Sequence, residues 1–162
     1  MGMVHQLLFI KDFHQKKAEM ALQTARMSLQ AAKHQEEKAN NTLATFQEHA
    51  KREELTWFED LCSRLVKVRD IQMVQADVAQ LRATENMHLQ SLQQAQQLHM
   101  QASDTHQEAN HAKKEADKVR EKFTELVRLQ DLTDANEVER KEELELEELA
   151  GNLRPQPEAD TV

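Results

Sequence analysis

From Met3 to Ala150 the chain contains neither glycine nor proline. These two residues most readily bend or end a helix, and the stretch between is rich in Ala, Leu, Gln, Glu, Lys, Arg and Met, all good helix formers. A compact globule of short elements usually carries roughly 7% Gly and about 5% Pro. Here each occurs twice in 162 residues, as Gly2, Gly151, Pro155 and Pro157. Long helices are therefore expected, with no thick interior.

The apolar pattern says how such helices pair. In the first half Ala18, Leu22, Ala25, Leu29, Ala32, Glu36, Ala39, Leu43, Phe46, Ala50, Glu53 and Trp57 alternate steps of four and three. That is the 3.5-residue period of a left-handed coiled coil. In the second half Leu92, Ala95, Leu98, Ala102, Thr105, Ala109, Ala112, Ala116, Val119, Phe123 and Leu126 follow the same rule. One three-three step, at Leu92, Ala95 and Leu98, predicts local overwinding. Two Ala-rich arms of similar length in one chain predict an antiparallel two-helix coiled-coil hairpin, all-α, with short helices at its tip. The expected limits are arm one over about 4–60, tip over about 56–83 and arm two over about 84–149. A disordered tail is expected over 151–162.

Thr56 to Ala83 holds the single Trp, the single Cys and the densest apolar run. No glycine marks a reversal there, and Asp70 and Thr84 are the available helix-start signals. Trp57, Leu61, Leu65, Val68, Met73 and Val74 would build a small local core. Trp57 and Phe58 are adjacent, so on a helix they point about 100° apart. One of them should face outward, where an aromatic is a favoured docking anchor. The alternative is that all these side chains close on one another.

Charge narrows the partners. The net charge is −8, with 31% charged residues, which disfavours nucleic acid, since phosphate binding relies on clustered Lys and Arg. No span approaches the ~20 apolar residues that cross a bilayer, and the first residues lack the basic and small-residue signals of a signal peptide. A lone Cys62 makes no internal disulfide and fits a reducing compartment. After Leu129 the chain turns acidic, with eleven Asp or Glu against three Lys or Arg from Asp131 to Val162.

Catalytic chemistry finds no footing. None of the eight His residues completes a H-E-x-x-H zinc pair, and solvated or seam-edge imidazoles are expected. Paired carboxylates such as Glu36-Glu37 and Glu147-Glu148 are neighbours in sequence and do not face one another on a helix. Cys62 is expected to be a buried structural thiol, and a phosphate loop would need glycines that are absent. The chain is expected to be no enzyme and to need no cofactor or metal. What remain are surfaces. Lys11, Lys16 and Lys17 on arm one should lie near Arg128 and the acidic segment on arm two, forming a charged end.

Two stretches resemble a known family. Lys122-Phe123-Thr124-Glu125-Leu126-Val127-Arg128, followed by Glu142-Glu143-Leu144-Glu145-Leu146-Glu147-Glu148, is similar to the C-terminal half of the YscO family of type III secretion proteins. Leu7-Leu8-Phe9-Ile10-Lys11 with Ala18-Glu19-Met20-Ala21-Leu22 is similar to that family's opening. With the length and the hairpin pattern the resemblance covers nearly the whole chain, though the middle, with Trp57-Phe58, has no residue-by-residue match. YscO-like proteins and their flagellar relative FliJ resemble the coiled-coil part of the rotary ATPase γ subunit. The resemblance implies a virulence-associated central stalk at the cytoplasmic face of the inner-membrane export apparatus in bacteria. Its implied partners are the hexameric secretion ATPase, the export gate and secretion chaperones. Carried onto this sequence, Leu7, Ile10, Lys11, Lys16, Lys17, Phe123, Leu126 and Arg128 would meet the ATPase ring. Trp57, Phe58, Leu65, Val68, Met73 and Val74 would face gate or chaperones. Such a stalk is expected to be a monomer. Competing readings are a cytoskeletal or tethering coiled-coil dimer built on the same stripes, and a membrane-surface anchor through Leu7, Leu8, Phe9, Ile10 and Phe13.

Overall fold

A computed structural model of the chain describes residues 2–153. Two helices account for almost all of them: α1, Met3–Ser63, and α2, Val68–Leu153. Threonine does not interrupt them, because Thr42, Thr56, Thr84 and Thr124 donate their hydroxyls to the carbonyl four residues back, a bond that lets a β-branched hydroxyl residue sit inside a helix.

The chain divides into two units, one formed by Met1–Ala18 with Lys113–Val162 and the other by Glu19–Ala112. In the Glu19–Ala112 unit the helices are antiparallel. As contacts step back along α1 from Glu54 through Phe46 to Glu36, their partners on α2 advance from Arg82 through His88 to His99. The predicted α1 stripe faces this partner throughout, since Leu22, Ala25, Leu43 and Ala50 are buried and the other positions from Ala18 to Trp57 are half-buried. Leu92 and Ala95 answer from α2. Alanine at such positions lets the helices approach closely, and each buried leucine is worth about 1.5–3 kcal/mol.

The α2 stripe differs from the sequence expectation. Leu98 is 60% exposed, and Thr105, Ala112 and Leu126 also face solvent. His99, His106, Lys113 and Val127, one residue on, are half-buried in their place. No three-three step is needed: the inward residues run Leu92, Ala95, His99, Ala102, His106, Ala109. The partner helix imposes the 3.5-residue period, and a polar residue on the seam outranks an apolar one beside it. At His99 the cost of that choice is met by Glu36, whose carboxylate contacts the imidazole Nδ1 across the seam.

That pair yields a testable outcome. Glu36→Ala leaves the half-buried imidazole without its acceptor and is expected to lower stability by about 1–2 kcal/mol. Replacing both partners, Glu36→Leu with His99→Leu, is expected to raise it by about 1–3 kcal/mol. Urea unfolding followed by circular dichroism reads both, and a double variant less stable than the wild type would contradict this account.

The reversal is shorter than expected. The cluster of short helices expected over residues 56–83 is absent among the described residues; Arg64 to Lys67 alone join α1 to α2. Thr84 starts no helix and lies well inside α2. Asp70 acts from the first turn of α2: its carboxylate accepts the Lys67 backbone N–H at 3.1 Å, half of a capping box. Arg64 bridges the two helix ends, bonding Asp60 at 3.1 Å and approaching Asp70 at 3.8 Å. No positive φ occurs among the described residues, so the turn needs no glycine. At the other boundary α2 continues through Gly151 to Leu153, past the expected start of a tail; the rest of that tail, 154–162, lies outside the described residues.

In the unit of Met1–Ala18 with Lys113–Val162 no large side chain among the described residues is buried. Cross-helix polar contacts tie it together instead. Gln15 donates to Asp117 at 3.0 Å, Arg120 meets Asp12 at 2.9 Å and His5 meets Asp131 at 2.9 Å. These partners too run antiparallel.

Candidate interaction surfaces

Around the Arg64–Lys67 turn the apolar side chains split by direction. Trp57, Leu61, Val66 and Val74 turn inward and are half-buried. Phe58 is 52% exposed, Leu65 102%, Val68 71% and Met73 59%. The local core expected from Leu65, Val68 and Met73 therefore does not form. With only four linking residues, no third element among the described residues stands over the turn to cover them. Leu55 and Ile71 are also exposed. The result is an apolar surface on a turn that its own cap and the Asp60–Arg64–Asp70 contacts already hold. Cys62 belongs to this surface and is exposed, not the buried thiol expected from sequence, because its position on α1 points away from the seam.

The paired helices of the other unit carry a mixed surface. Leu7 is half-buried, while Ile10 is 45% and Leu126 48% exposed. The Lys11 ammonium sits 5.6 Å above the Phe123 ring, a cation–π contact. Lys16 pairs with Asp12 at 3.2 Å on its own helix, Lys17 is exposed, and Arg128 holds Glu125 at 2.6 Å. The expected clustering of Lys16 and Lys17 with Arg128 does not occur, since Gln15 lies opposite Asp117 and His5 opposite Asp131. An open groove beside them is lined by His5, Leu8, Phe9, Ile10, Arg120 and Thr124. Phe9 and Phe13, on the outer side of α1, are 76% and 61% exposed.

Titration follows from these contacts. The Gln15 amide, with Lys113 beside it, holds the Asp117 carboxyl below its usual range despite opposing desolvation. The hydrogen bond from Arg128 does the same for Glu125, and the Glu125 carboxylate in turn raises Arg128. Carboxylates held below their usual range favour the folded form above the unfolded-state pKa, and lose that contribution as pH falls through the folded value.

Seam-edge placement is found for His5, His88, His99 and His106, whereas His14, His34, His49 and His111 face solvent. His88 packs on Phe46 with ring centroids 5.0 Å apart. Among the described residues no three His, Cys, Asp or Glu side chains gather as a metal site, and no helix is long and apolar enough to cross a membrane. The inward histidines are what the apolar pattern missed on α2. Their 3.5-residue register relative to Leu92 and Ala95 is the sequence signal that finds them.

The described residues offer surfaces for binding, and the grooves along them are open to solvent. The sequence matches the family described as type III secretion protein YscO over residues 4–152. The fold is similar to the crystal structure of the type III secretion protein YscO from Vibrio parahaemolyticus, with a TM-score of 0.82 and 23% sequence identity. That match covers 90% of this chain and 92% of the other. No curated protein matches the sequence.

Proposed function

Because this chain belongs to the YscO family of type III secretion proteins, we propose that it is a non-enzymatic central stalk of the secretion ATPase complex. In this reading it links the hexameric ATPase to the export gate and engages secretion chaperones at the cytoplasmic face of the inner membrane. The observation that carries the reading is the exposed apolar surface at the turn. Phe58, Leu65, Val68 and Met73 are left in water by a turn that does not use them for its own packing, and large exposed apolar patches mark interaction sites. Gate or chaperones are the occupants the family role supplies.

The ATPase end is assigned to the unit containing both chain ends, through Leu7, Ile10, Lys11, Lys16, Lys17, Phe123, Leu126 and Arg128. A pair of helices, each about 10–12 Å across with its side chains, is slim enough to enter a ring. Two unlike helices in a symmetric ring contact its subunits unequally. That asymmetry biases which subunit interface closes, provided the contacts differ in strength among nucleotide states. The stalk contributes no catalytic group in this scheme.

Charge reversal at Lys16 and Arg128 tests the assignment. Both side chains are exposed and, among the described residues, pair only with residues on their own helix, so Lys16→Glu with Arg128→Glu should leave the far-ultraviolet circular dichroism unchanged. Association with the purified hexameric ATPase is expected to weaken about tenfold, with a matching loss of any effect on hydrolysis, since exposed charges at an interface rim act mainly through encounter and salt dependence. Unchanged association would sink the charged-end assignment.

A further inference from the structure

Helix α2 carries a segment that α1 does not accompany. His5, in the first turn of α1, contacts Asp131, yet α2 runs on to Leu153. Every residue from Arg128 to Leu153 is exposed. Helical stability in proteins comes mostly from packing an amphipathic face, and this segment has such a face that no other described residue covers. At 100° per residue Leu132, Val138, Leu146, Leu149 and Leu153 fall within an arc of roughly 120°. Their exposures run from 53% at Leu132 to 81% at Leu153. Glu139 and Glu142 lie on the same arc, between the Leu132–Val138 pair and the three distal leucines.

Charge identifies what fits that face. From Leu132 to Leu153 there are eight Asp and Glu against Arg140 and Lys141, so six of the eight net negative charges of the chain sit here. Among the described residues none of these eight carboxylates is in an ion pair. A second copy of the segment would bring Glu139 and Glu142 against like charge in the middle of the contact, and an anionic lipid surface would repel the whole helix. A protein groove with an apolar floor and Lys or Arg at its centre and rim satisfies both the leucines and the carboxylates.

We propose that Leu132–Leu153 is a docking helix that lays its apolar arc into a basic-rimmed groove of a partner protein. The choice of candidate partners rests on the stalk reading; the chemistry of the groove does not. The test is calorimetric titration of the full chain into the purified cognate ATPase, the cytoplasmic domain of the export gate and a cognate chaperone, each alone, at low and high salt. Expected for one of the three is a rise in Kd of about tenfold or more with Glu139→Lys and Glu142→Lys combined, strongest at low salt. Leu146→Ala with Leu149→Ala should weaken the same partner by a similar factor at both salts. All four substitutions introduce good helix formers at exposed positions, so circular dichroism should not change. Wild-type affinity of both pairs for every partner overturns the docking helix. So does sedimentation showing that Leu146→Ala with Leu149→Ala abolishes a dimer, or flotation showing that it abolishes binding to phosphatidylglycerol vesicles. If the extension variants bind normally while Lys16→Glu with Arg128→Glu does not, the docking helix alone falls. If the wild-type chain binds none of the three, the stalk reading falls with it.

Discussion

Leu22→Ala and Leu43→Ala are each expected to lower the stability of the Glu19–Ala112 unit by about 2–3 kcal/mol, whereas Leu98→Ala should change it by less than about 0.5 kcal/mol. All three remove the same atoms from a leucine on a seam predicted by periodicity. Leu22 and Leu43 are 3% and 7% exposed, and Leu98 is 60% exposed. The first two replacements lose transfer free energy and leave a void between helices already spaced by Ala25, Ala50 and Ala95. A value near the low end of the usual Leu→Ala range follows because two helices, with no third layer, can close part of the gap. Urea unfolding monitored at a helical band measures all three. Equal losses at Leu22 and Leu98 would show that the α2 stripe runs through Leu98 and not through His99.

Phe58→Ala with Leu65→Ala is expected to do the opposite, sparing stability and removing binding. Both side chains are more than half exposed, and the turn is held by the Asp70 cap and by Arg64, so the unfolding midpoint should hardly move. If the turn docks on gate or chaperone, truncating two central apolar anchors should weaken that contact by about 2 kcal/mol or more, roughly thirtyfold in Kd. Titration against the purified gate domain and the cognate chaperones, with Met100→Ala as an exposed control elsewhere on α2, reads the effect. Affinity unchanged for every one of them would remove the turn from the list of docking surfaces.

The two experiments separate side chains that sequence pattern alone treats alike. Leu98 and Leu92 both sit on a plausible stripe, but only Leu92 faces α1. Choosing between them requires the phase of the partner helix, which a single-helix periodicity does not carry. The same limit explains Leu65, Val68 and Met73. An apolar cluster in sequence reads as a core until the length of the link is known, and a four-residue link leaves no element to cover it. Cys62 is exposed for a related reason: its place on α1 points away from the seam, and that phase too is set by the partner helix. For Trp57 and Phe58 the fixed angle between adjacent helical residues shows that they diverge, but only the structure decides between an outward aromatic and a closed core, and it turns Phe58 outward.

By itself the amino-acid sequence determined the all-helical class and the inward stripe of α1 from Ala18 to Trp57; it pointed to antiparallel pairing but left a dimer built on the same stripes open. The absence of internal Gly and Pro and the 3.5-residue period leave little else for the backbone to do. Tertiary structure decided the rest: a reversal at Arg64 to Lys67, polar seam positions at His99 and His106, and an outward-facing apolar turn. Local propensity acts within one helix, whereas each of these depends on what the second helix places opposite, and a cross-helix contact such as Glu36 with His99 exists only once both are in register.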